Sequence, residues 1–351
     1  MKFLVSIAMF FALTVECAHA AILWAGGEDI DFPNGSAPCT ATNGYFRSGF
    51  ARASLWACGN GAISISNPFT GGAITSGWIS FRASAWQYLQ NNQRFVGFGK
   101  SGTGSAIFLG SDSGNSNKMA LWKYDGTTFT EIASETGTSY LNTGTVYKFD
   151  MQIISYGASA TVNVYLNGGA SPLFSYTGNV LAGSATTLDE VVLSGYANYG
   201  SNYYENYSEI FVSDSDTRLL SLATLAPNAA GDLNQWTGAY TNINPATIND
   251  TSVVSDTTSG DTFECKLNSL PSGNFSILGV KVGARTAKYG AGLTSIAVGV
   301  KTNATVSVPG ATALGTAFTE TETYYPINPV TSANWTSTEI NALQINLKSA
   351  P

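Results

Sequence analysis

The chain has 351 residues, a formal net charge of −7, 44% hydrophobic residues and only 11% charged ones. That length suits about two domains, and polarity drawn from Gly, Ser, Thr and Asn excludes a bundle of helices rich in Glu, Lys and Leu. The 16 Lys and Arg residues are scattered rather than clustered, which excludes a phosphate-binding stripe and with it a nucleic-acid partner.

In chain order, Met1-Lys2 gives a positive start and residues 3–15 form an apolar stretch broken only by Ser6 and Thr14. Ala18 and Ala20 then supply the small residues of a cleavage site before Ala21. Residues 1–20 therefore read as a secretory signal peptide, too short and wrongly flanked for a spanning helix. The mature chain is expected outside the cytoplasm, with no membrane span left after cleavage. Cleavage also removes His19, the only histidine. Without it no Ser-His-Asp or Cys-His machinery can be assembled, and zinc loses its commonest catalytic ligand. No cofactor is expected. In an oxidising compartment Cys39 and Cys58 are the expected disulfide. Cys265 alternates with Phe263 and Leu267 on one strand face and reads as a buried free thiol.

Short strand signals follow at 63–66, 77–82, 94–99, 106–110, 119–124, 128–133, 146–154, 161–166, 173–176, 188–194 and 208–213. Asp125-Gly126 between two alternating runs predicts a hairpin whose two turn residues take positive φ, and Asn167-Gly168-Gly169 predicts a second tight turn. Such a series of antiparallel strands implies an all-β sandwich or jelly roll. Residues 222–231, with Pro and small residues, read as the junction to a smaller β domain. There, strands are predicted at 276–285 and 296–301. Thr336 and Glu339 form a capping box, and Ile340, Leu343 and Leu347 share one face of a short helix or turn. The domain reading is a signal peptide at 1–20, a jelly roll at 21–222 and a C-terminal β-sandwich domain at 223–351.

Three segments carry a resemblance. Residues 147–153 (Tyr-Lys-Phe-Asp-Met-Gln-Ile), 160–168 (ending Tyr-Leu-Asn-Gly) and 174–178 (Phe-Ser-Tyr-Thr-Gly) resemble the concanavalin A-like, laminin G-type jelly roll over most of 21–222. A wider likeness runs through Leu23-Trp24 to Phe32, Asp214 to Arg218, Gly231 to Gly238, Ala284-Arg285 and Asn328 to Gln344. Together these look like uncharacterised tailed-phage and prophage virion proteins that couple such a jelly roll to a small β domain. The resemblance transfers no catalytic residue, and the secretion signal departs from it.

Jelly rolls of this type include glycosidases with alternating strand carboxylates, which makes Asp29 with Asp31, in the run 28–31, and Glu320 with Glu322 the acid pairs to consider. They read instead as strand-end acids. Asp112 with Asn115 and Asn117, and Asp214 with Asp216, lack the ligand density of a calcium loop, so no metal is expected. The favoured contact surface is the segment carrying Tyr196, Tyr199, Tyr203, Tyr204 and Tyr207. Its rings are interleaved with Asn, Ser and Gly, a mixture suited to sugar or protein surfaces. Trp86 and Tyr88 carry a similar blend. The expected function is a non-enzymatic virion structural or adhesion protein whose jelly roll contacts host-surface glycans or partner subunits, a homo-oligomer included. The alternatives are a secreted bacterial carbohydrate-binding protein, and a glycoside hydrolase or lyase on the same fold.

Overall fold

The computed structural model describes residues 21–28, 31, 39–41, 45–56, 63–66, 68–85, 91–137, 142, 144–193, 205–244, 249–288, 290 and 292–351. The first unit holds strands β1 (Ile22–Gly26), β2 (Cys39–Ala41), β3 (Ser54–Trp56), β4 (Ile63–Ser66), β5 (Gly77–Ala85), β6 (Arg94–Lys100) and β7 (Ser105–Ser111). It continues with β8 (Met119–Asp125), β9 (Phe129–Ser134), β10 (Tyr147–Ile153), β11 (Ala160–Leu166), β12 (Phe174–Gly178), β13 (Glu190–Leu193) and β14 (Glu205–Ser213). These form an eight-stranded sheet, β12-β11-β10-β5-β14-β3-β2 with β1 also on β14, and a six-stranded sheet, β4-β13-β6-β7-β8-β9. Every pairing within them is antiparallel, and the first and last strands of the unit lie side by side.

Period-two alternation decides which residues the two sheets share. Ile79, Phe81 and Ala83 of β5, Phe149, Met151 and Ile153 of β10, and Val162 and Val164 of β11 point inward. They meet Phe98, Ile107, Leu109, Leu121 and Val191 from the other sheet. Phe81 and Phe149 lie 5.5 Å apart at the centre, each fully buried ring being worth about 2–3 kcal/mol. The all-β sandwich expected from the sequence is the fold observed.

The two predicted turns differ. Asn167 (φ 52°) and Gly168 (φ 74°) both take positive φ, closed by Gly169 N–H donating to Leu166 O at 3.0 Å. At Asp125-Gly126 only the glycine does so, at φ 97°. The Asp125 carboxylate instead accepts from Thr127 N and Thr128 N at 2.9 and 2.7 Å, which favours a longer connection over a two-residue turn.

The second unit contains β15 (Pro227–Asn234), β16 (Thr262–Leu267), β17 (Val280–Thr286), β18 (Ser295–Thr302), β19 (Thr305–Ser307), β20 (Thr312–Ala313), β21 (Thr319–Tyr325), α1 (Ser337–Asn341) and β22 (Gln344–Ala350). One sheet runs β15-β16-β22-β18-β19 with β20 on β18, and β17-β21 forms a two-stranded pair. Phe263, Cys265, Val298, Leu347, Val282 and Tyr325 share its core. Two sequence expectations shift here. Residues 227–231, placed inside the junction, belong to the edge strand β15 against β16. Leu347 lies not on the helix but in the central strand β22, between β16 and β18, because α1 ends at Asn341. The capping box forms as expected, with Glu339 N–H donating to Thr336 Oγ1 at 3.2 Å and Thr336 N–H to Glu339 Oε2 at 2.9 Å. Cys265 is buried and free, and burial pushes its thiol up to about 12.

Candidate functional site

The face of the eight-stranded sheet turned away from the core is polar, and its register arranges it in rows. One row runs Ser213, Trp78, Gln152, Asn163, Ser175 across β14, β5, β10, β11 and β12. The next runs Phe211, Ser80, Asp150, Tyr165, and the third brings Ser208 beside Arg82 and Lys148. Asn206 pairs with Ser84 beyond them. In the first row Asn163 Nδ2 donates to Gln152 Oε1 at 2.9 Å and Ser175 Oγ donates to Asn163 Oδ1 at 2.7 Å. Trp78 stacks on Tyr165 at 5.5 Å and 24°. The Arg218 guanidinium lies 4.6 Å from the Tyr165 ring centroid and 5.8 Å from that of Trp78, in the cation–π range.

The chain leaving β14 folds back over this face. Thr217 Oγ1 donates to Asp150 Oδ1 at 2.7 Å, and Lys148 Nζ donates to the carbonyls of Thr217 and Arg218, both at 2.7 Å. Lys148 also lies 3.2 Å from Asp150 Oδ1. A β-bulge in β14 puts Glu209 at φ 49°, a left-handed conformation that is costly for a non-glycine residue inside a strand. The bulge aims its carboxylate between two arginines. Arg47 bonds it at 2.5 and 3.0 Å, while Arg82 Nε sits 2.8 Å from Oε1, a close ion pair off the hydrogen-bond direction. Desolvation lowers the Arg82 guanidinium and the Lys148 ammonium from their ordinary values, with Glu209 and Asp150 offsetting part of that cost.

Buried polar atoms are normally paired, yet this face concentrates exceptions. Ser80 Oγ, Ser84 Oγ, Asp150 Oδ2, Asn206 Nδ2 and Ser208 Oγ are buried without a hydrogen-bond partner. Beside them a cleft of about 280 Å³ opens between Arg82, Lys148, Asn167, Gly168 and the 218–221 segment. Leu219 at its mouth is 90% exposed.

The residues singled out in the sequence fall elsewhere. Tyr196, Tyr199, Tyr203, Tyr204, Trp86 and Tyr88 lie outside the described residues, as do the signal peptide and Cys58, and with Cys58 the predicted Cys39–Cys58 bridge. Tyr207 is described, and it corrects the reading. It belongs to β14, opposite Ala83 and Leu55, and its ring is fully buried against Phe81 at 6.4 Å, so it is core rather than contact surface. The turn aspartates are engaged locally: Asp112 accepts from Gly114 N and Asn115 N, and Asp216 pairs with Arg218. Among the described residues no cluster of His, Cys, Asp or Glu has metal-binding geometry, and no helix is long and apolar enough to cross a membrane.

Of the acids noted in the sequence, Asp31, Glu320 and Glu322 converge across the two units, while Asp29 lies outside the described residues. Lys281 Nζ lies 2.6 Å from Asp31 Oδ1, 3.2 Å from Glu320 Oε1 and 3.0 Å from Glu322 Oε2. Asp31 is itself held by the backbone N–H groups of Gly27 and Glu28 at 2.7 and 3.0 Å. Close by in the chain, Arg52 pairs with Glu28 and donates to Asn244 O at 2.7 Å, and Phe50 meets Phe275 edge-on at 5.9 Å. Burial alone would depress the Lys281 ammonium, but the three carboxylates outweigh it and raise it. Burial raises Glu320 well above the ordinary carboxyl value, against the pull of Lys281.

No protein-family model matches the chain, and no curated protein matches it by sequence. Solved structures similar in shape include a carbohydrate-binding module from Bacillus subtilis, at 9% identity and TM-score 0.32, covering 51% of this chain and 92% of that one. Domain 4 of an extracellular arabinanase from Geobacillus stearothermophilus, in complex with arabinotriose, is 16% identical with TM-score 0.30, covering 57% and 83%. An alginate lyase from a Chlorella virus is 7% identical with TM-score 0.39, covering 56% and 100%. At these scores the likeness says nothing about the site.

Proposed function

We propose that this is an extracytoplasmic glycan-binding protein that works without catalysis, its binding surface being the polar face of the eight-stranded sheet. One observation carries the reading: the row Gln152, Asn163, Ser175 beside the stacked Trp78–Tyr165 pair and Arg218. Sugars present hydroxyls in a plane and weakly apolar ring faces. Amides and hydroxyls in a row suit the hydroxyls, while Trp78 and Tyr165, each only 7% exposed, form a rigid floor beneath them rather than an open stacking platform. Gln152 accepts through Oε1, and its amide nitrogen makes no hydrogen bond among the described residues, leaving it to donate outward. Catalysis is not favoured, because Asp150 and Glu209 are already committed to Thr217 and Lys148, and to Arg47 and Arg82.

A polysaccharide array tests the reading. Wild-type protein is expected to bind at least one polymer without shortening it. The Asn163→Ala, Ser175→Ala double variant is expected to bind about tenfold more weakly, equivalent to about 1.4 kcal/mol, with an unchanged melting temperature. Failure to retain any polymer would remove the proposal, and new chain ends would turn it into an enzyme. The resemblance read from the sequence puts the adhesion on a virion. Capsid or tail genes beside this one are the expected finding, and their absence leaves an exported glycan-binding protein.

A further inference from the structure

We infer that the cleft beside this face receives an anionic substituent of the bound glycan, a carboxylate or a sulfate, through the guanidinium of Arg82. This rests on the glycan-binding reading above. Three cations line the cleft, Arg82, Lys148 and Arg218, and no carboxylate does, in a chain whose net charge is −7. The counter-charges of Arg82 and Lys148 lie behind them, the side chains of Glu209 and Asp150 being 3% and 0% exposed, whereas Asp216, the partner of Arg218, is 46% exposed.

The three cations are not equivalent. Lys148 is occupied by two carbonyls and Asp150. Arg218 is occupied by Asp216 and the carbonyls of Gly169 and Ala170. Arg82 meets Glu209 through Nε, and among the described residues its two terminal nitrogens make no hydrogen bond. A guanidinium with both ends unspent, held by a bulged glutamate at its root, presents the planar fork that fits a carboxylate or sulfate. Burial already disfavours the charge on Arg82 and Lys148, so an incoming anion would recover electrostatic free energy that Glu209 and Asp150 leave unrecovered.

The test measures binding of wild-type protein to three polymers, one rich in uronic acid, one sulfated and one neutral, together with the thermal shift given by inorganic sulfate. Selective binding of an acidic polymer is expected, weakening with salt, and which acidic polymer wins identifies the anion. Arg82→Lys keeps the charge and removes the fork, and is expected to weaken that binding about tenfold. Leu219 is exposed at the mouth, so charge there perturbs the field without disturbing the core. Leu219→Asp is expected to weaken the acidic polymer about fivefold and Leu219→Lys to strengthen it. Equal affinity for neutral and acidic polymers, indifferent to both Leu219 variants, would overturn this inference and leave glycan binding standing. A sulfate shift lost in Arg82→Lys, with no polymer bound, would keep the anion cleft and discard the glycan. Neither binding nor shift would discard both.

Discussion

Two groups of buried charge lie in this molecule, and they are built on opposite plans. Around Lys281, one ammonium serves three carboxylates drawn from both β units, and none of the buried unpartnered atoms belongs to that group. Around Arg82, cations face a cleft, the carboxylates of Glu209 and Asp150 lie behind, and unpartnered hydroxyls and amide groups collect nearby. A closed set of partners joins parts of a fold, whereas an open set marks where something else can enter. Removing the central cation should separate the two plans most clearly. Lys281→Met leaves three carboxylates facing one another with no counter-charge, and is expected to cost about 3 kcal/mol. Urea unfolding measures this, and a loss below about 0.5 kcal/mol would show that the Lys281 group does not join the units.

Part of this was legible from residue order alone. Alternation in residues 147–153 and 161–166 announced strands and their inward faces, and Asn167-Gly168 and the Thr336–Glu339 box announced their own backbone geometry. The site was not legible, because it is a property of register. Arg82 and Lys148 become neighbours only when β5 and β10 pair across more than sixty positions. The same holds for Lys281 and Asp31, which no local pattern connects. Aromatic density marks the tyrosine-rich segment, yet Tyr207 obeys strand parity rather than composition: β14 begins at Glu205 and turns that ring inward. A usable signal was present. In a chain with 11% charged residues, Arg82, Lys148 and Asp150 sit inside alternating strands, where a charge needs a reason.

The open plan can be sharpened on the sheet face itself by comparing two serines. Ser54 Oγ donates to Asn206 Oδ1 at 2.9 Å, whereas Ser80 Oγ has no partner. Ser54→Ala is expected to lose about 1 kcal/mol, and Ser80→Ala to be neutral or to gain up to about 1 kcal/mol, because it removes an unsatisfied hydroxyl. Thermal unfolding of the two variants decides. If Ser80→Ala is as costly as Ser54→Ala, ordered water already satisfies that hydroxyl, and the face is less open than its bonding implies.

The smallest effect concerns the closed plan, and its sign is fixed by Glu320. Burial raises this carboxyl, Asp31 and Glu322 add to the rise, and Lys281 opposes it. The folded chain therefore holds the Glu320 proton more tightly than the unfolded chain does. Between the unfolded and folded values, the folded state binds more protons, so stability from this group falls as pH rises and is recovered on acidification. Glu320→Gln removes the titration while keeping size and hydrogen-bonding capacity. Unfolding free energies measured from about pH 5 to about pH 8 are expected to decline more steeply in the wild type than in Glu320→Gln, by up to about 1 kcal/mol over that range. Matching slopes would mean that Lys281 keeps Glu320 ionised throughout. The junction would then be a fully ionised network, and its pH response would have to come from other carboxylates.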